Sequence, residues 1–192
     1  CKPFDKKRKG MSLGEGAATL LIMNEKKARK FNKKPIGILK GWAVTNDATH
    51  ITRPDSEGYG LAMAIERALN KAGIDAESIS AICAHGTGTY HNDAMEIASY
   101  KRVFGKNRIP LFSVKGAIGH TLGAAGGIEA AICLKSIMHG IIPPTTGLSD
   151  PEHDTEGVIS SRPVKRGLTH ILSTNSGFSG VNAALIIGKG EY

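Results

Sequence analysis

The chain has 192 residues, 41% of them hydrophobic and 22% charged, which is enough for one domain with its own core. No apolar run approaches the roughly 20 residues of a membrane-spanning helix, so no membrane span is expected. The net charge of +8, with lysine and arginine crowded into the first forty positions, favours an anionic partner such as nucleic acid, anionic lipid or an acidic protein.

In chain order, the basic run Lys6-Lys7-Arg8-Lys9 leads into no apolar core, so no signal peptide is expected and a solvated turn is the simpler reading. Gly14 to Met23 reads as small residues leading into a buried strand. Residues 25–34 read as a charged, exposed helix that Pro35 stops, and residues 36–43 as the next strand. After a polar loop, Leu61 to Leu69 is an amphipathic helix closed by Gly73. Ile79 to Ala84 is a short apolar strand that runs into His85-Gly86-Thr87-Gly88-Thr89. Asp93 to Val103 is helical, and Pro110 to Val114 is a strand ending at a Lys115–Gly119 turn. Gly123 to His139 is a helix apolar nearly all round, which predicts burial. Pro143-Pro144 breaks the chain, an acidic loop follows, and residues 171–175 and 183–187 read as two final strands. Alternating strands and helices imply an α/β layered fold with a largely parallel sheet. Three scattered cysteines, Cys1, Cys83 and Cys133, form no CxxC and fit a reducing cytoplasm.

Chemistry concentrates where strands end, as ligand sites do in α/β folds. A lone His85 is more economically a core histidine satisfied by a carbonyl. It is not alone, because a second strand end delivers Lys115 and His120 to a glycine-rich turn. His120 falls near the amino end of the helix from Gly123, whose dipole disfavours protonation and keeps the imidazole neutral. The glycine-flanked turn 175–182 can aim backbone N–H groups at an oxyanion, although taken alone it is more simply an ordinary hairpin turn. Rival readings are weaker. Gly119–Gly127 lacks the Gly-Lys-Ser/Thr ending of a phosphate loop. His85, His91 and Asp93 match no standard metal spacing, so no metal site is expected. Cys83 and Cys133 lie in apolar runs and read as inert buried residues.

Taken together, these motifs resemble the C-terminal half of the β-ketoacyl-acyl-carrier-protein synthases of the thiolase-like fold. The match begins at Pro3-Phe4-Asp5 and Leu13-Gly14-Glu15-Gly16-Ala17. It continues through Asp47, His50, Ala84–Thr89, Asp93, Ser113-Val114-Lys115 with Gly119-His120, Gly123–Gly126, Pro143-Pro144-Thr145 and the Asn175–Asn182 loop. The resemblance implies a mixed, largely parallel sheet with helices packed on it, residues 1–192 forming a single domain, and an N-terminal half, absent here, carrying the nucleophilic cysteine. Cys1 is not assigned that role. By resemblance, His85 and His120 are the catalytic histidines, Lys115 the active-site lysine and Glu96 its acidic partner. Thr87 and Thr89 contact the pantetheine arm, and Phe178 gates the acyl pocket, its N–H completing the oxyanion hole. The loop departs from the family's usual form in being shorter and in carrying Ser179 and Val181.

The implied activity is acyl transfer: decarboxylative Claisen condensation of an acyl thioester with malonyl-carrier protein, in fatty acid or polyketide-type synthesis. No bound cofactor is implied, since phosphopantetheine arrives on the acyl carrier protein. The implied partners are that carrier protein, its malonyl and acyl thioesters, and a second synthase subunit in a homodimer or heterodimer, with no nucleic acid. The isolated chain is expected to be inactive, and the intact protein cytoplasmic. A non-catalytic, chain-length-factor-like partner subunit is the alternative, against which His85, Lys115 and His120 all persist. A coenzyme A thiolase would place a second cysteine in the 175–182 turn, which has none.

Overall fold

The computed structural model describes residues 1–190. Its centre is a five-stranded mixed sheet of β1 (Gly37–Asn46), β2 (Ala81–Cys83), β3 (Leu111–Phe112), β6 (His170–Ser176) and β7 (Val181–Lys189), ordered β1-β7-β6-β2-β3. A small ribbon of β4 (Ile141–Ile142) and β5 (Val164–Lys165) lies apart. The parallel part is confined to β6-β2-β3, whereas β1, β7 and β6 run antiparallel. This antiparallel share exceeds the sequence expectation, because the four-residue turn from β6 to β7 can join only antiparallel neighbours.

Strand periodicity divides the core in two. Ile82, Leu172 and Ile186 face one cluster, formed with Leu61, Ile65 and Ala68 of α2 (Tyr59–Ala72) and Met95 and Ile97 of α3 (Tyr90–Phe104). Their neighbours Cys83, Ile171 and Ile187 face the other cluster, with Ala130, Cys133 and Ile137 of α5 (Ala125–His139). Alternate side chains of a strand point to opposite faces, so helices cover both and the molecule has three layers. Cys83 and Cys133 are fully buried in the second core.

Four expectations need correction. Residues 14–23 form no strand and are largely exposed, Leu21 at 83% and Ile22 at 73%, because no described strand pairs with them. The 25–34 helix shortens to α1 (Glu25–Lys30), capped by the Asn24 side chain, and the Lys115–Gly119 turn is a single helical turn, α4 (Lys115–Ile118). Helix α5 is buried only along its sheet-facing stripe; Met138 on the far side is 51% exposed.

The amino-terminal segment is tied down at long range. The Asp5 carboxylate accepts the N–H groups of Ser149 and Asp150 at 2.6 and 2.8 Å. Burial pushes that carboxyl up, but the N–H donors of Asp150, Ser149 and Lys7 outweigh it and hold it well below the usual carboxylate range. The same segment lies against the loop that follows β2, where Cys1 Sγ donates to the Thr87 carbonyl at 2.9 Å and the Gly10 N–H to the Gly88 carbonyl at 3.0 Å.

Candidate active site

The first piece is the end of β2. Gly86 adopts φ +46°, and a Cβ there would lie 2.5 Å from Cβ of Ser113, so the position requires glycine. The turn aims the N–H groups of His85 and Gly86 at the two oxygens of Glu96 on α3, at 2.8 and 2.7 Å. Glu96 is fully buried and also accepts from Tyr100 Oη at 2.8 Å and Asn92 Nδ2 at 2.9 Å. Burial pushes its carboxyl up against those hydrogen bonds and the charge of Lys115.

The second piece follows β3. Ser113 Oγ donates to the Gly86 carbonyl at 3.0 Å and accepts the Lys115 N–H at 3.3 Å, joining the two strand ends. Helix α4 then delivers Lys115, 1% exposed, across the sheet end to His85. Its Nζ donates to the His85 carbonyl at 2.6 Å, lies 3.2 Å from His85 Nδ1, and pairs with Glu129 of α5. The expectation that Glu96 is the acid paired with Lys115 is therefore corrected. Glu129 makes the direct ion pair, and Glu96 holds the backbone of His85. Glu129 is a residue of this cluster that the sequence reading missed. Its signal was present, because α5 carries one acid, Glu129, within its sheet-facing stripe, and a buried carboxylate calls for a cation. Burial drives the Glu129 carboxyl up to about 7 even though Lys115 pulls it down.

The third piece is His120. Gly119 at φ +72° reverses the chain, with Leu13 O only 2.7 Å from where a Cβ would stand. The His120 N–H then donates to Ser12 O at 2.7 Å. The ring lies edge-on to His85, with centroids 5.0 Å apart and planes at 84°. Helix α5 begins only at Ala125, but the N–H of Leu122, in the short 3₁₀ turn before it, donates to His120 Nδ1 at 3.0 Å. Both histidines are pushed down from the ordinary value. For His85 the causes are burial, then Lys115, then His120; for His120 they are burial, then Lys115. The helix dipole expected from the sequence is thus replaced by burial and the ammonium.

These contacts fix the tautomers. An ammonium can only donate, so His85 Nδ1 accepts and its proton sits on Nε2. The Leu122 N–H likewise leaves the proton of His120 on Nε2. The site therefore presents two neutral imidazoles with Nε2–H donors.

The remaining predicted residues lie around this trio. Thr87 Oγ1 and Thr89 Oγ1 are 2.9 Å apart in the loop after His85, Thr87 buried and Thr89 half-buried. That loop is held by buried Asp93, whose carboxylate accepts from Phe4 N at 2.8 Å and Gly88 N at 3.2 Å, with Arg8 Nε 3.7 Å away. Cys1 Sγ donates to the Thr87 carbonyl at 2.9 Å. Phe178 is 69% exposed on the β6–β7 turn, which is pinned to the polar loop by Ser179 N–H on Ile51 O and Asn46 Nδ2 on Ser179 O at 2.8 Å. His91 is exposed and stacks edge-on with Tyr90.

Comparison with known proteins bears on the family and the fold. The family profile described as Beta-ketoacyl synthase, C-terminal domain, matches residues 36–149. The chain is 37% identical over 195 residues to the actinorhodin polyketide putative beta-ketoacyl synthase 1 of Streptomyces coelicolor, covering 99% of this chain and 41% of that protein. Among solved structures, the ishigamide ketosynthase/chain length factor superposes with a TM-score of 0.94 at 36% identity, over 99% of this chain and 47% of that one. A type II polyketide synthase acyl-carrier protein in complex with its ketosynthase bound to the hexaketide also matches, with a TM-score of 0.94 at 29% identity, over 98% of this chain and 47% of that one. The chain thus spans less than half the length of these relatives. No helix among the described residues is long and apolar enough to cross a membrane. On its fold, its strand-end histidines and these likenesses, the chain belongs to the β-ketoacyl synthase family, as the C-terminal half of the thiolase-like fold.

Proposed function

We propose that the protein to which this chain belongs condenses an acyl thioester with malonyl-carrier protein, and that this half supplies the groups that stabilise the malonyl-derived enolate. The observation that carries the reading is the pair of neutral imidazoles, centroids 5.0 Å apart, each with Nδ1 occupied and its proton left on Nε2, where Asn175 is a side-chain partner of His85. In the reaction the bond between the malonyl carboxylate and the α-carbon breaks, carbon dioxide leaves, and the electron pair moves onto the thioester oxygen. Two Nε2–H groups aimed at that oxygen stabilise charge that develops only in the transition state, each worth about 3–4 kcal/mol. The α-carbon then attacks the acyl thioester and expels the cysteine thiolate, which we place in the N-terminal half. Lys115 acts by position, fixing the His85 tautomer and raising the cost of an imidazolium. Thr87 and Thr89 contact the pantetheine arm, and Phe178 gates the acyl pocket with its N–H at the oxyanion.

The naming of the Streptomyces coelicolor relative favours a polyketide-type product over a fatty acid. The partners in this reading are an acyl carrier protein and a second synthase subunit. No cofactor beyond the carrier's phosphopantetheine is required, and the setting is cytoplasmic. Residues 1–192 act as one domain of a larger whole, inactive by themselves.

The test uses the full-length protein with radiolabelled malonyl-carrier protein, following carbon dioxide release. His85→Ala and His120→Ala are each expected to slow release by about 10²–10³-fold. A full-length protein that releases no carbon dioxide would favour the chain-length-factor-like alternative. Wild-type rates in both variants would refute the enolate assignment. Robust condensation by the 192-residue chain alone would overturn the placement of the nucleophile.

A further inference from the structure

On the α3 side of the sheet, at the β3 edge, lies a cleft of about 440 Å³, a volume typical of small-molecule sites. Its floor is apolar, built by Ile82, Ile97, Phe104 and Leu111. These residues are at most 8% exposed, so the floor is a continuation of the first core rather than loose surface. The rim has a single dominant sign. Lys101, Lys106 and Arg108 stand around the opening against one carboxylate, Asp154, which is already paired with Lys101 at 2.8 Å. Arg108 is turned onto the Glu156 carbonyl, and Lys106 has no ion-pair partner among the described residues. One wall is Tyr100, whose hydroxyl leaves the cleft to donate to Glu96 at 2.8 Å, the carboxylate that holds the His85 N–H.

An apolar floor with an unneutralised cation at its lip suits a ligand that is apolar at one end and anionic at the other. A neutral apolar body would leave Lys106 unused, and a fully polar anion would leave the floor dry and unfilled. We propose that this cleft is a binding site for a small amphipathic anion, an acyl or aryl body bearing a carboxylate or phosphate head, seated on Ile82, Ile97 and Phe104 with its head at Lys106. The site opens on the α3 side of the sheet, away from the pair of Lys115 with Glu129 of α5, so it is separate from the proposed condensing site.

The experiment titrates full-length protein with octanoate, octyl phosphate and octylamine, reading the isoleucine methyl resonances of Ile82 and Ile97. Saturable shifts are expected with octanoate or octyl phosphate and none with octylamine; the tighter of the two anions identifies the head group. Lys106→Glu is expected to weaken binding roughly tenfold, the scale of one charge-assisted contact. Val158→Trp, which adds bulk at a lining residue of the cleft, is expected to abolish binding. Octylamine binding as tightly as octanoate would overturn the proposal. So would anion binding that neither variant alters, since the ligand would then sit elsewhere.

Discussion

The buried pair of Lys115 and Glu129 offers a quantitative test of how the site is held. Both side chains are 1% exposed, and the ammonium also holds the His85 carbonyl and Nδ1. Glu129→Gln keeps the shape of the acid but leaves a buried ammonium facing only neutral acceptors, and breaking a buried pair in this way costs about 3–5 kcal/mol. Lys115→Met leaves the acid unpaired. Burial already drives Glu129 to about 7 with the ammonium present, so without it the acid takes a proton at neutral pH, and His85 loses the donor that sets its tautomer. The double variant Lys115→Met/Glu129→Gln retains neither charge and is expected to be less destabilised than the sum of the singles by at least about 2 kcal/mol. The assay is urea denaturation of the full-length protein and its three variants, followed by circular dichroism. Additivity of the two singles within about 0.5 kcal/mol would refute the coupling, and with it the corrected partnership of Lys115.

Two further outcomes follow from other parts of the structure. Ser179 has φ +64°, a left-handed conformation that strains a residue with a Cβ, so Ser179→Gly is expected to raise stability by about 0.5–1 kcal/mol. A lower melting temperature in that variant would show that hydrogen bonding at the turn outweighs the strain. Asp93, pushed by burial from 3.8 to about 7, takes up a proton in the native state before the unfolded chain does. Between about pH 4 and pH 7 the native state therefore binds more protons, and stability falls as pH rises, by about 4 kcal/mol from this group. Asp93→Asn is expected to flatten that slope in urea midpoints measured across the window, and an unchanged slope would contradict the buried, proton-binding carboxylate.

Much of this architecture was legible in the chain because local pattern and tertiary role agree. Apolar runs that stop at His85-Gly86 and at Val114-Lys115 mark strand ends, and Gly73 marks the end of α2 as a left-handed cap. Where the two disagree, the reading fails. Residues 14–23 have the composition of a buried strand, yet composition cannot supply the neighbour a strand needs. Glu129 was passed over because α5 was read as uniformly apolar, although its sheet-facing stripe holds an acid. Contacts between distant positions, such as Asp5 with Ser149 or Arg8 with Asp93, leave no local trace, since nothing in either segment specifies the other. Glu96 was read as the acidic partner of Lys115, whereas the direct ion pair is made by Glu129 and Glu96 accepts the N–H groups of His85 and Gly86. Backbone N–H groups, which every residue carries, are invisible as a motif.

His85 and His120 are both neutral with their protons on Nε2, and nitrogen-15 NMR of the histidine side chains reads this directly. At about pH 6.5, where a free imidazole is half protonated, both rings are expected to be mainly uncharged, with Nδ1 unprotonated and Nε2 bonded to hydrogen in the neutral form. A ring charged at pH 6.5 to the extent of a free imidazole or more, or a neutral ring with its proton on Nδ1, would contradict it.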